Sequence, residues 1–413
     1  MISISSRFFR AHRKLRIKPL KDLAQEISAT VFLNSDRSGY AELLPGGPVK
    51  RSSSLDIVSH DQGPAYAALR AKFADCSYAS TPISAVRLKD VYVDGMRGVC
   101  VTSDGIMIEE ASAVARGIDP NLPHVVFVSM ADQTFIPGKY PVVEDPVLHC
   151  VHAASSAFAH FMFDVLPVIA FFRQKIIDGR LKVSIPHLPE WGFNVLKEMG
   201  IGREHLIQLD MSPTICRNAT IVSTMMTYNT FFPNPVLMQS LAKALGLDIS
   251  NRWEKHSKGA RIYLSRANQN NYFNRSVENE DEVRATLAAM DFRIIEPSKL
   301  SFRDQISAIE SASVIVGPHG SGFGNLMFAR RDTAVIDLMP DDWVEFFDKN
   351  GTAERWLLNV TNLFGLDYTV MLCRSSIFQA LPEDDTSGLQ KRGIKSSVNA
   401  QALRRTIEGV LQT

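Results

Sequence analysis

The sequence predicts an α/β fold in two domains, each built on a parallel sheet. Three observations point there. Strand and helix patterns alternate from Arg261 to Leu338, the arrangement that lays strands parallel with helices on their faces. A looser alternation runs from Val183 to Leu245. Between them, at 413 residues, the chain has the length of about two ordinary domains. The predicted division is a basic, partly irregular leader over residues 1–63, an N-terminal domain over 64–250 and a C-terminal domain over 251–413.

The leader is rich in Ser, Gly and Pro from Asn34 to Ser54, with little periodicity. Arg7, Arg10, Arg13, Lys14, Arg16, Lys18 and Lys21 precede its first acid, Asp22. A solvated leader is the favoured reading; a peripheral membrane contact through a basic amphipathic segment is the alternative. From Ser84 onward, alternating Val, Leu and Ile positions predict short strands. Asp94-Gly95 and Asp104-Gly105 supply hairpin turns between them. His124 to Ser129 predicts a further strand, completing a small antiparallel element.

Ser155 to Ile177 is a long apolar helical pattern that Pro167 must kink or divide. Strands are predicted over Val183–Ile185, Leu206–Leu209 and Ala219–Val222, with helices around Phe193–Met199 and Val236–Leu245. Arg252 to Gly259 is charged and predicts a linker. In the second half, strands are predicted over Arg261–Ser265, Phe292–Ile295, Ser313–Val316 and Ala334–Leu338. A helix opens at Asn279, with Glu282 at the capping-box position, and another spans Phe302–Ser311. Pro382 to Ser396 reads as loop and Val398 to Leu411 as a terminal helix.

Composition narrows the function. Hydrophobic residues make up 45% and charged residues 22%, the balance of a soluble globular protein. Net charge is +1, so no overall field invites nucleic acid. The five cysteines are scattered, without metal-ligand or CxxC spacing, which fits reduced thiols in a cytoplasmic protein. No apolar run approaches the roughly 20 residues needed to span a bilayer.

The chemistry starts at Val314-Ile-Val-Gly-Pro-His-Gly-Ser-Gly-Phe-Gly-Asn325. A buried strand runs into a glycine-rich turn and then a helical pattern. Such a turn bares backbone N–H groups at a helix N-terminus, a ready anion site. Ser265 and Arg266 follow one predicted strand, and Arg275 lies in the Asn-rich stretch beyond. His319, Gly320, Ser321, Gly322 and Asn325 follow another, and Asp337 ends a third. Carboxyl ends of parallel strands share one crevice. Two arginines and a helix N-terminus there suit a diphosphate, and a carboxylate can accept from ribose hydroxyls. The pattern is neither a dinucleotide fingerprint, since Asn325 stands where a third glycine belongs, nor a P-loop, since no Gly-Lys-Ser/Thr follows. In the first half, His160 and Asp164 are four residues apart within an apolar helix, hence on one face. They read either as a buried hydrogen-bond pair or as a base and acceptor-binding group.

Together these stretches resemble glycosyltransferase family 61. The resemblance rests on Tyr263-Leu-Ser-Arg266, Arg275, Asn279-Glu280, Gln305, Val316-Gly317, His319-Gly-Ser-Gly322, Asn325 and Val335-Ile-Asp337, with His160-x-x-x-Asp164-x-Leu-Pro167 upstream. The chain departs from the family pattern at Ala157, Phe161, Phe323-Gly324 and Asp337. The resemblance implies a GT-B-like architecture, two Rossmann-like domains facing across a cleft. It implies an inverting transfer, with no metal or other cofactor, from a UDP-linked sugar donor to a glycan or glycolipid hydroxyl in bacterial surface-polysaccharide assembly. Arg266, Arg275 and the His319 turn would hold the diphosphate and Asp337 the ribose. Asp164 is the first candidate base and His160 the second. A pyruvyl or other sugar-modifying transferase, and a nucleotide-sugar-binding protein without turnover, are the rival readings.

Overall fold

A computed structural model describes residues 13–51, 54–59, 62–95, 97–111, 128–129, 134–135, 137–152, 154–186, 188–209, 213–227, 230–247, 259–266, 275–349, 355–379 and 392–412. The protein is a mixed α/β chain with parallel sheets, divided into two compact units. The first comprises Met1–Gly47, Thr81–Tyr228 and Val236–Leu245; the second comprises Pro48–Ser80, Asn229–Pro235 and Gly246–Thr413.

The sheet of the first unit is assembled from β1 (Gly39–Leu44), β2 (Ile83–Val93), β3 (Val142–His149), β4 (Lys182–Ile185), β5 (Leu206–Gln208) and β6 (Thr214–Val222). Its order is β5-β4-β3-β6-β2, continued by Cys100–Val101, Ile106–Ile108 and Arg16–Lys18. β3, β4, β5 and β6 are mutually parallel, and β2 runs antiparallel to β6. Both predicted hairpin turns are present, but their strands extend this main sheet instead of forming a separate element. The His124–Ser129 expectation survives as Val128–Ser129; residues 121–127 lie outside those described.

Sequence reading missed β3 altogether. A central parallel strand usually shows as an apolar run. Here exposed Glu144 and Asp145 interrupt it, and the register slips between Val143 and Pro146. The helix expected over Ser155–Ile177 is broken as Pro167 requires. A short helix (Phe158–His160) passes into a π-helical turn (Phe161–Val165), then two short helices, Leu166–Phe171 and Arg173–Ile177. Pro167 offers no N–H, and its ring crowds the carbonyl four residues back; the wider turn before it relieves both.

The second unit carries β7 (Ala260–Leu264), β8 (Arg275–Val277), β9 (Phe292–Ile295), β10 (Ala312–Pro318), β11 (Ala334–Pro340), β12 (Asp367–Gln379) and β13 (Arg392–Ser397). The order is β8-β13-β12-β11-β10-β7-β9, and β9, β7, β10, β11 and β12 are parallel. Val283 and Leu287 from one helix (Glu280–Ala288), with Leu403 and Ile407 from another (Ala400–Val410), seal one face over Tyr263, Val316 and Ile336. β13 falls where a loop was expected. It pairs antiparallel with the far half of β12, so long-range pairing ordered a polar segment.

The expected leader is likewise structured where it is described. Arg16–Lys18 and β1 belong to the first unit's sheet, and Leu55–Val58 pairs in parallel with β12. Residues 1–12, with Arg7 and Arg10, lie outside the described set. So does most of the expected linker, residues 252–258. Among the described residues no helix is long and apolar enough to cross a membrane.

Candidate active-site residues at two strand switch points

The parallel part of each of these two sheets has a point where successive strands diverge to opposite sides, and each such reversal gathers polar side chains. In the first unit the chain moves outward from β3 to β4 to β5, then returns to the opposite side of β3 as β6. In the second, after β8 is laid at the far edge, the chain forms β9 on one side of β7 and then β10 on the other. Between the carboxyl ends of such diverging strands the backbone opens a crevice, the usual ligand position in open α/β sheets.

At the β7/β10 reversal stand most of the residues expected to hold the donor. Arg266, half-buried just past β7, points its Nη1 at the His319 carbonyl, 3.4 Å away. Ser265 is buried, and its hydroxyl donates to Glu280 Oε1 at 2.5 Å, tying the strand end to the helix that starts there. Gly320 has φ 137°, a conformation that side chains rarely adopt, and lets β10 turn into a 3-10 helix over Ser321–Phe328. That helix begins four residues earlier than the sequence pattern suggests. Its first N–H groups lie in the turn, where helix ends lack internal partners.

His319 is buried, and Asp337 lies behind it. The Asp337 Oδ2 accepts from His319 Nδ1 at 2.8 Å and from the Tyr368 hydroxyl at 2.8 Å. Asp337 has no exposed surface, and its Oδ1 makes no hydrogen bond among the described residues. In this conformation the carboxylate orients the imidazole instead of lining the rim. The Trp356 ring packs at 5.9 Å from the His319 ring. Neither Tyr368 nor Trp356 carried a sequence signal, because each reaches the site from elsewhere in the chain.

Two expected donor residues sit differently. Asn325 is buried and donates from Nδ2 to Gln305 Oε1 at 2.7 Å, facing the helix Phe302–Glu310. Arg275 opens β8, paired in parallel with β13; its side chain lies outside what is described. Asn279 does precede a helix, yet its side chain caps no backbone N–H there and instead donates from Nδ2 to Glu282 Oε2 at 2.8 Å. Its Nδ2 also donates to Val398 O and its Oδ1 accepts from Val398 N–H, clamping the approach to the terminal helix.

The β3/β6 reversal collects the second cluster. Asp164, in the π-helical turn, is buried, with Oδ1 accepting from Met225 N–H at 2.7 Å and Oδ2 from the Thr224 hydroxyl at 2.5 Å. Thr224 and Met225 lie two and three residues past the end of β6. His152, three residues past β3, brings its Nε2 to 2.5 Å from Asp164 Oδ2. Burial alone would raise the Asp164 carboxyl; the adjacent His152 and the hydrogen bonds from Thr224 and Met225 outweigh it and hold the carboxyl below its ordinary range. His160 is half-buried, and its ring meets the His152 ring edge to face at 5.7 Å. His152 was missed from sequence because β3 was missed. Once that strand is known, a histidine just past its carboxyl end is the signal.

Residues 158–336 match the family model described as glycosyltransferase 61. Over that stretch the chain is similar to the glycosyltransferase 61 family. The protein is therefore a glycosyltransferase enzyme. The matched span opens at the helix bearing His160 and Asp164 and runs through Arg266 and His319. It ends one residue short of Asp337, and His152 precedes it. Comparison of the chain with curated proteins gives no match.

Proposed function

We propose that this glycosyltransferase moves a sugar from a UDP-linked donor to a hydroxyl of a glycan or glycolipid acceptor in bacterial surface-polysaccharide assembly. The transfer inverts the anomeric centre and uses no resident metal. The reading entails a GT-B-like arrangement, two Rossmann-like domains facing across a cleft. The observation that supports it most is the β7/β10 reversal, where a guanidinium, an oriented imidazole and a glycine turn come together at strand ends.

Transfer forms a bond from the acceptor oxygen to the anomeric carbon as the bond from that carbon to the diphosphate oxygen breaks. The leaving electron pair goes to the diphosphate. Arg266 and the turn N–H groups from Ser321 and Gly322 neutralise that charge, while Asp337 and Tyr368 keep His319 in one orientation. Arg275 remains a second diphosphate ligand in this reading. The acceptor hydroxyl gives its proton to a base. Of the two sequence candidates, His160 suits that task, being half-buried. Asp164 is sealed and accepts from two donors, so it acts as support.

The test is Arg266→Ala. Turnover of a UDP-sugar should fall by roughly 10²-fold or more, the scale of losing one transition-state charge donor. Near-normal kinetics in a folded variant would refute the clamp. An α-linked donor yielding an α-linked product, read by NMR, would refute inversion.

A further inference from the structure

Between the sealed Asp164 and the half-buried His160 stands a histidine to which the reaction as written assigns nothing. We propose that His152 is a positioning residue of the transfer step: it links the buried Asp164 carboxylate to the His160 ring and sets how readily His160 takes the acceptor's proton. This rests on the functional reading above and deepens it.

The His152 ring is fixed in tautomer and place. Its Nδ1 accepts from Ala154 N–H at 3.2 Å, which puts the ring proton on Nε2, the atom facing Asp164. Its backbone N–H donates to the Ser155 hydroxyl at 2.7 Å. From the other side Gly98 presses against the same backbone: a Cβ there would lie 2.6 Å from His152 Cα and 2.5 Å from Val151 O. The side chains of His152 and Asp164 are each 1% exposed, so the charge of the carboxylate is barely screened at the ring.

The carboxylate does not depend on His152 for its hydrogen bonds. Thr224 and Met225 donate to both oxygens already. A buried carboxylate is costly to keep charged, and an apolar pair would fill the same space at less cost. What the ring adds is a connection, since its other contact is the edge-to-face meeting with His160. The neighbouring titratable groups on these elements are His149 and Cys150, both buried at the end of β3. Burial draws His149 down to about 4 and pushes the Cys150 thiol upward, so both are uncharged at neutral pH. Among these groups the charge behind His160 is that of Asp164, transmitted through the His152 ring. No proton passes along this line; the Nε2–H of His152 stays against Asp164.

The test is histidine NMR titration of the full chain, which needs neither donor nor acceptor. In the wild type, the His152 signals should move at the His160 midpoint; silence there overturns the proposal even if every variant fails to fold. In His152→Gln the His160 midpoint should drop by about half a unit or more, the worth of a ring contact to an imidazolium. Asp164→Asn should lower it too, and the double variant should add nothing beyond the larger single shift. The acid limb of kcat should follow, with UDP affinity unchanged. An unmoved His160 midpoint in folded His152→Gln overturns the coupling. If the midpoint moves while no UDP-sugar is ever turned over, the functional reading falls and the coupling stands.

Discussion

Acidification should destabilise the first unit through His149. His149 closes β3 with its ring fully buried. Its Nδ1 lies 2.8 Å from the Ser184 hydroxyl, which itself donates to Leu148 O, so Nδ1 carries the proton, and Nε2 has no hydrogen-bond partner of good geometry among the described residues. Burial, reinforced by His152, lowers the ring to about 4, with a smaller opposing pull from the Gly98 carbonyl. An unfolded histidine titrates near 6.5. The folded value is the lower one, so below pH 6.5 the unfolded chain takes up a proton that the folded chain refuses. Stability therefore falls as pH falls, down to about 4, where the folded ring protonates as well. Between pH 7 and pH 5 this one ring should cost about 2 kcal/mol. Asp164 shifts in the same direction: its folded carboxyl is held low, and its contribution is lost at more acid pH. Urea unfolding of the first unit can be followed through Trp191, with Trp253, Trp343 and Trp356 replaced by Phe. The loss from pH 7 to pH 5 should shrink by about 2 kcal/mol in His149→Gln, whatever that variant's baseline. An equal loss in both proteins refutes the claim that the fold keeps this ring neutral.

Other perturbations probe the supports of each cluster. Gly98→Ala forces a side chain into φ +70° and against the backbone of Val151 and His152. It should cost about 1–3 kcal/mol or more in thermal unfolding, and turnover should fall with it. Tyr368→Phe removes a hydroxyl donor from Asp337, and should cost about 1.5–3 kcal/mol, read as a lowered melting temperature. Asn279→Ala strips both hydrogen bonds from the Val398 backbone and should speed amide exchange at Val398 while leaving the helix Glu280–Ala288 in place. Unchanged exchange would mean that water replaces the side chain without cost.

The sequence alone determined what depends on neighbours along the chain. The strand–turn–helix at His319, the break at Pro167, both hairpin turns and most second-half elements follow from periodicity, φ preferences and missing N–H groups, which act over a few residues. So does the grouping of Ser265, Arg266 and His319 at strand ends, because a parallel sheet puts all those ends on one side. Tertiary structure decided the rest. Which strands flank each reversal, and hence that Arg266 meets the His319 turn, depends on pairing order. That Asp164 turns inward, that Asp337 stands behind His319, and that His152 and Tyr368 complete the clusters depend on burial and on partners far off in sequence. Leu55–Val58 and β13 became strands only because β12 offered its backbone to them. A hydrogen-bonding edge can order a polar or irregular segment that has no pattern of its own, and no local rule records where that edge will be.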